Sequence, residues 1–211
     1  MVFQDPLAAL DPRMTVGASI AEPLQTHRPD LGRADRRRLV GETMERVGLA
    51  PALMDRYPHE FSGGQCQRIG IARALVLGPR LIVADEPVSA LDVSVQAQVV
   101  NLMKSLVAET GCSLIFIAHD LAVVRNVSDR IAVMYLGRLM EVAPAGPLVA
   151  GPAHPYARAL IEAVPVPDPA RERGRRHHAP KGEIPSPRFP PRSAARTGPR
   201  CRWCSRTRWP R

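Results

Sequence analysis

The sequence predicts an α/β fold built around a parallel sheet, and three observations carry that reading. Leu81-Ile82-Val83-Ala84 is a continuous apolar run that ends in Asp85-Glu86, as expected of a central parallel strand covered on both faces. Residues 93–110 set Val95, Val99, Leu102 and Leu106 on one helical face, and Gly111 closes the helix. Leu114 to Ala118 is a second fully apolar strand. Strand, helix and strand at this spacing form a right-handed βαβ unit with parallel strands.

The other elements follow in chain order. Residues 1–30 are interrupted by Pro6, Pro12, Pro23 and Pro29 and read as a loop with one short helical piece, roughly Val16 to Ala21. Residues 33–47 read as a helix with Leu39, Val40, Met44 and Val47 on one face and Gly48 as its stop. Arg36-Arg37-Arg38 on that helix reads as a solvated face. Residues 65–77 predict another helix, with Ile69, Ala72 and Val76 as its apolar stripe and Gly78-Pro79 as its end. Residues 130–142 read as two short strands around Leu136-Gly137, and 155–163 as a short helix after His154-Pro155. Beyond Pro165 no apolar period survives, and 171–211 read as disordered or loosely packed.

At 211 residues the chain has room for one core, or one domain plus a tail. The net charge of +9 is uneven: residues 171–211 hold 13 Lys/Arg against 2 Asp/Glu, residues 1–170 hold 16 against 18. The basicity therefore belongs to the tail, and a nucleic-acid partner is not expected from it. No apolar run reaches transmembrane length, and residues 1–6 lack the basic and apolar regions of a signal peptide, so a cytoplasmic location is expected. Cys66, Cys112, Cys201 and Cys204 form no disulfide framework. Cys201 and Cys204 supply two of the four ligands a structural metal site needs, and Cys66 reads as a small packing residue.

Four groups of residues are candidates for chemistry. Ser62-Gly63-Gly64 at a helix start leaves backbone N–H groups free at the positive end of the helix dipole and suits a terminal phosphate; an ordinary N-cap is the plainer reading. Asp85 and Glu86 stand just beyond the carboxyl end of a buried strand, where open parallel sheets bind ligands. One such carboxylate holds Mg²⁺ through water, and its neighbour orients an attacking water. His119 ends the adjacent strand and is expected beside them. Asp92 in Ser89-Ala90-Leu91-Asp92 is a plausible N-cap of the long helix.

Taken together these motifs resemble those of ATP-binding cassette (ABC) ATPases. Phe61-Ser62-Gly63-Gly64-Gln65 looks like the signature motif, Leu81 to Glu86 like the Walker B strand, and Ser89 to Asp92 like the D-loop. His119 matches the switch histidine and Gln4 the Q-loop glutamine. The resemblance implies ATP and Mg²⁺ as cofactors. Ser62, Gly63 and Gly64 would contact the γ-phosphate held by a second ATPase subunit arranged head to tail, and Gln65 and Asp92 would belong to the same cofactor-binding set. Asp85 would assist Mg²⁺, Glu86 polarise water, and His119 contact the γ-phosphate. Gln4 would link the metal site to the membrane partner through a helical subdomain at about residues 5–65.

Phe3 to Thr15, His154 to Leu160, Ala163 to Pro169 and Gly182 to Pro187 are similar to oligopeptide and dipeptide importers. That likeness implies transmembrane permease subunits as partners, an extracytoplasmic solute-binding protein served indirectly, and a peripheral place on the cytoplasmic face of the membrane. Some relatives with this extension move nickel or other solutes. The expected organisation is a partial ABC domain over 1–145, an importer-type extension over 146–187, and an atypical basic tail over 188–211. Two other readings stand beside it: a non-catalytic fragment that docks on a partner, and an ABC-type ATPase acting on ribosomes or DNA.

One family element has no counterpart. The sequence contains no Gly-x-x-x-x-Gly-Lys-Ser/Thr, and its two lysines, Lys104 and Lys181, follow no glycine-rich turn. The chain thus reads as a C-terminal fragment or a truncated gene product, expected neither to bind ATP tightly nor to hydrolyse it alone. The sheet edge left by missing strands would invite aggregation. The residues after Pro187 depart from the family pattern, and an Arg/Pro/Ala/Trp-rich end of this kind reads as out-of-frame translation of a GC-rich gene.

Overall fold

A computed structural model describes residues 1–163. The chain divides into two units, Met1–His119 and one that begins at Asp120. The tail expected to be disordered, the Cys201/Cys204 pair and most of the predicted extension lie outside the described residues.

The first unit contains a cluster of three helices, α1 (Val16–His27), α2 (Arg33–Arg46) and α3 (Gly63–Leu75), each packed on the other two. Ile20 and Leu24 of α1, Val40 and Met44 of α2, and Ile69, Ala72 and Leu75 of α3 form the shared core. The expected helix near Val16 is longer than the prolines suggested and runs through Pro23 to His27. Pro23 cannot donate to the Ser19 carbonyl, a loss that normally breaks a helix. Here Ile20 and Leu24 flank it fully buried, so tertiary packing outweighs the missing bond. Between α2 and α3 lie two short 3₁₀ turns, Pro51–Leu53 and Pro58–Glu60. The segment between these turns helps to hold α1, because Val16 N–H donates to Arg56 O at 2.8 Å and Gly17 N–H to Met54 O at 2.7 Å. The Arg36–Arg38 run is solvated in part: Arg37 pairs with Asp55 and Arg38 with Glu42, while Arg36 Nε is buried. Cys66 is a buried packing residue, as read.

The parallel unit is β1 (Leu81–Asp85), α4 (Val93–Thr110) and β2 (Ser113–Ile117). The strands pair in parallel with Leu81 opposite Ser113 and Asp85 opposite Ile117. Val2 bridges Ala84 in parallel on the other side of β1. Gly111 ends α4 in the left-handed region, φ 66°, as its C-cap. The expectation that β1 is covered on both faces is corrected. Ile82 and Ala84 are buried, but Leu81 is 48% exposed, and Ile115 and Ile117 of β2 are 50% and 46% exposed. Alternation sends odd positions of β1 to one face, and the described residues cover only the even one.

The second unit holds the hairpin β3 (Arg130–Tyr135) and β4 (Arg138–Pro144), turned at Leu136-Gly137 as read. Ile131, Val133, Ala145 and Leu148 form its core. The helices α5 (Leu121–Val127) and α6 (Ala145–Ala150) were not anticipated; each is about two turns or less, too short to show a helical period. The helix α7 (Pro155–Glu162) follows the expected boundary, and His154 Nδ1 accepts from Tyr156 N–H at its start. Glu141 of β4 accepts from the N–H groups of Ala153 and His154, both at 2.9 Å.

Candidate functional site

The site grows from the end of β1. Val2 N–H donates to Val83 O at 2.8 Å, and Asp85 N–H donates to Val2 O at 2.9 Å. These two bonds hold residues 1–4 beside the strand and bring Gln4 to its carboxyl end. Glu86, one residue past β1, donates its N–H to Ile117 O at 2.9 Å and so joins the end of β2. Its φ is +43°, in the left-handed region that non-glycine residues rarely adopt. Ser89 stabilises that turn by donating both N–H and Oγ–H to Glu86 O.

This backbone aims one carboxylate at two partners. Gln4 Nε2 donates to Glu86 Oε2 at 2.9 Å, and His119 Nδ1 lies 3.5 Å from Glu86 Oε1. The Glu86 side chain is 28% exposed and His119 73%, so the imidazole faces solvent while the carboxylate is partly sheltered. Asp85 is half-buried at the last position of β1. A carboxylate fixed by a neutral amide, with an imidazole at its other oxygen and open solvent beyond, can orient a water molecule and accept its proton. Among the described residues no cluster of three or more His, Cys, Asp or Glu could hold a metal ion by itself. Asp85 fits instead the Mg²⁺ pattern of one carboxylate completed by water and phosphate oxygens.

A second group stands at the start of α3. Ser62 is its N-cap: Oγ accepts from Gln65 N–H at 3.3 Å, and Gln65 Oε1 accepts from Ser62 N–H at 3.0 Å. The plainer N-cap reading is therefore present in the structure. It does not consume the phosphate donors, because the N–H groups of Gly63 and Gly64 are left without intrahelical partners and the Ser62 hydroxyl keeps a hydrogen to donate. These donors fit a terminal phosphate.

Close approach explains the glycine at position 64. A β-carbon on Gly64 would lie 2.5 Å from Val95 Cγ1, so the start of α3 packs directly on the first turn of α4. Asp92 caps that turn, accepting from Val95 N–H at 3.0 Å and Ser94 Oγ–H at 2.9 Å. Those bonds, the one from Val95 N–H first, hold its carboxyl below the ordinary carboxylate range. The structure thus brings Gln4, Glu86 and His119 together, with Asp85 adjacent in the chain. It sets Ser62 to Gln65 beside the Leu91–Val95 segment, with the stretch from Glu86 to Asp92 linking the two groups. Sequence reading missed Arg73, which donates to Ala9 O at 2.9 Å and Glu22 Oε2 at 2.6 Å and ties the loop after Gln4 to α1. An arginine on a helix offers no sequence signal that separates such a strut from a solvated charge.

The chain is similar to known proteins over both of its units. Residues 1–89 match the ABC transporter family, and residues 140–206 match the oligopeptide/dipeptide transporter C-terminal region. The chain is 61% identical over 191 residues to the oligopeptide transport ATP-binding protein OppF of Salmonella typhimurium, covering 90% of this chain and 57% of that protein. It is 57% identical to a putative oligopeptide transport ATP-binding protein of Bacillus subtilis, again covering 90% of this chain and 58% of the relative. The chain thus spans a little over half the length of these relatives. A dimeric ATP-binding cassette in a post-hydrolysis state bound to ADP and Pi superposes with a TM-score of 0.59 at 31% identity, over 68% of this chain and 61% of that one. CbiO1 from Clostridium perfringens, part of an ABC transporter complex, gives 0.63 at 28% identity, over 71% and 58%.

Proposed function

For this chain, whose residues 1–89 match the ABC transporter family and whose residues 140–206 match the oligopeptide/dipeptide transporter C-terminal region, we propose a role as the ATP-binding subunit of a peptide importer. The observation that carries the reading is the Glu86 carboxylate held between Gln4 Nε2 and His119 Nδ1 at the end of a parallel strand.

Each residue then has a task. Glu86 orients the attacking water and takes its proton, while the Gln4 amide keeps the carboxylate from rotating away. His119 stands where it meets the terminal phosphate. Ser62 Oγ–H and the N–H groups of Gly63 and Gly64 donate to the phosphate oxygens of a nucleotide carried by a second ATPase subunit; Gln65 holds Ser62 in place, and Asp92 orders the turn against which they pack. Asp85 holds Mg²⁺ through water, and Gln4 links that site to transmembrane permease subunits. When bound, Mg²⁺ supplies charge neutralisation at the phosphates. The assembly works at the cytoplasmic face of the membrane and serves a solute-binding protein on the other side. Among the described residues no helix is long and apolar enough to cross a membrane.

The free N–H groups of Gly63 and Gly64 and the Ser62 hydroxyl favour a second reading, in which the chain completes a partner's ATP site without turnover of its own. The test is phosphate release by the chain alone, by a partner cassette that carries Gly-x-x-x-x-Gly-Lys-Ser/Thr, and by the two together. Release by the mixture above the sum of its parts, lost with Glu86→Gln, supports the ATPase role. Enhancement that survives Glu86→Gln and is lost with Ser62→Ala supports the second reading. No enhancement rejects both.

A further inference from the structure

The Gln4 carboxamide that donates to Glu86 is exposed, so packing does not hold it, and its aim depends on the backbone at either side. On one side Val2 pairs with β1 through two backbone bonds. On the other side the chain turns back on itself. Asp5 Oδ1 accepts from the N–H groups of Leu7 and Ala8, both at 3.0 Å, and Asp5 O accepts from Ala9 N–H at 3.1 Å. This turn begins at the residue after Gln4 and ends at Ala9, whose carbonyl accepts from Arg73 at 2.9 Å. Glu22 of α1 takes the other arm of the guanidinium at 2.6 Å.

We infer that Arg73 is a positioning residue for the Gln4–Glu86 pair, acting through Ala9 and the turn that starts at Asp5. Its side chain suits the task. Charge-assisted hydrogen bonds are about twice as strong as neutral ones, and a planar guanidinium held by a carboxylate at one arm presents the other in a fixed direction. A segment anchored at Val2 alone leaves Gln4 free to swing away from Glu86; a second anchor at Ala9 removes that freedom. Leu10 is buried next to Ala9, so the segment stays attached when Arg73 is removed, and what is lost is the direction of the turn. Arg73 belongs to α3, the helix whose first turn carries the Ser62, Gly63 and Gly64 donors. One rigid element thus sets both the phosphate donors and the amide that holds the Glu86 carboxylate. This role deepens the proposed ATPase reading and rests on it, whereas the contact itself is read without nucleotide.

The experiment follows the Gln4 side-chain amide by NMR in the full, isotope-labelled chain without nucleotide. Glu86→Ala gives the signal of the amide that has lost its acceptor. Arg73→Met should move the parent signal about halfway or more toward that reference. Asp5→Ala, at an exposed position, opens the turn with Arg73 intact and should move the signal the same way, so the test stands even if Arg73→Met fails to fold. Arg73→Lys keeps the charge and a donor and should recover about half of the displacement or more. Arg46→Met removes a bridge from α2 to Glu109 of α4 and should leave the signal in place, which separates aim from general loosening. In an assembly that hydrolyses ATP, Arg73→Met should lower kcat about threefold or more while KM changes less than about twofold. A Gln4 signal unmoved in both Arg73→Met and Asp5→Ala, an equal shift in Arg46→Met, or a kcat unchanged by Arg73→Met overturns the role. A signal that moves as expected in a chain whose assemblies never hydrolyse ATP keeps the contact and rejects the ATPase reading.

Discussion

Gln4 and Glu86 lie 82 positions apart, and the Gln4 Nε2–H donates to Glu86 Oε2 at 2.9 Å. The bond exists because Val2 pairs with β1 on the side away from β2, which carries Gln4 to the strand end. Replacing Gln4 by Leu should free one carboxylate oxygen while leaving the Val2 bridge in place. In an assembly that hydrolyses ATP, we expect kcat to fall about tenfold with little change in melting temperature, against about 100-fold or more for Glu86→Gln. A Gln4→Leu variant as active as the parent would remove Gln4 from the site.

Gly64 and Val95 make a packing test. Gly64→Ala places a β-carbon 2.5 Å from Val95 Cγ1 and should destabilise the chain by about 1–3 kcal/mol in urea unfolding. Val95→Ala added to it should recover most of that loss, so the two substitutions are expected to be strongly non-additive. Additive effects would mean that α3 and α4 do not meet there.

Asp92 sets a pH dependence. Its folded carboxyl lies below the ordinary value of 3.8 because it accepts from Val95 N–H and Ser94 Oγ–H. A depressed acid contributes stability above its unfolded pKa and loses it as pH falls through the folded pKa. Asp92→Asn keeps a capping oxygen but cannot titrate. Its melting temperature relative to the parent should therefore be lower at pH 7, and the difference should narrow below about pH 4. A difference constant with pH would contradict the cap.

Arg73 joins two segments through the Ala9 carbonyl and Glu22. Its side chain is 32% exposed, so loss of the pair is only partly screened. Arg73→Met should cost about 1–2 kcal/mol, and Glu22→Gln should cost less in that background than in the parent. Chemical denaturation of the four species measures both terms.

The two faces of the sheet should respond differently. Ile82→Ala, on the buried face, should cost about 2–4 kcal/mol. Ile115→Thr, at a position 50% exposed, should cost about 0.5 kcal/mol or less. Equal costs would mean that both faces are covered in the working protein.

The sequence by itself determined the parallel βαβ unit, the long helix 93–110, the cap at Ser62 and the hairpin around Gly137. Apolar runs, helical periods, capping residues and turn glycines are all local signals, and each is written within a few residues. It also placed Glu86 and His119 at neighbouring strand ends, because parallel strands joined by one helix bring their carboxyl ends to one edge. It did not foresee that α1 would run through Pro23, since the packing that outweighs a lost hydrogen bond comes from α2 and α3. It could not tell which face of β1 is open, because a uniformly apolar run reads the same from either side. Only the tertiary structure decided how Gln4 reaches Glu86, why residue 64 is glycine and that Gln67 is buried without a hydrogen-bond partner among the described residues. Each of these depends on residues far apart in the chain meeting within about a side chain's reach, and neither spacing nor composition encodes that distance.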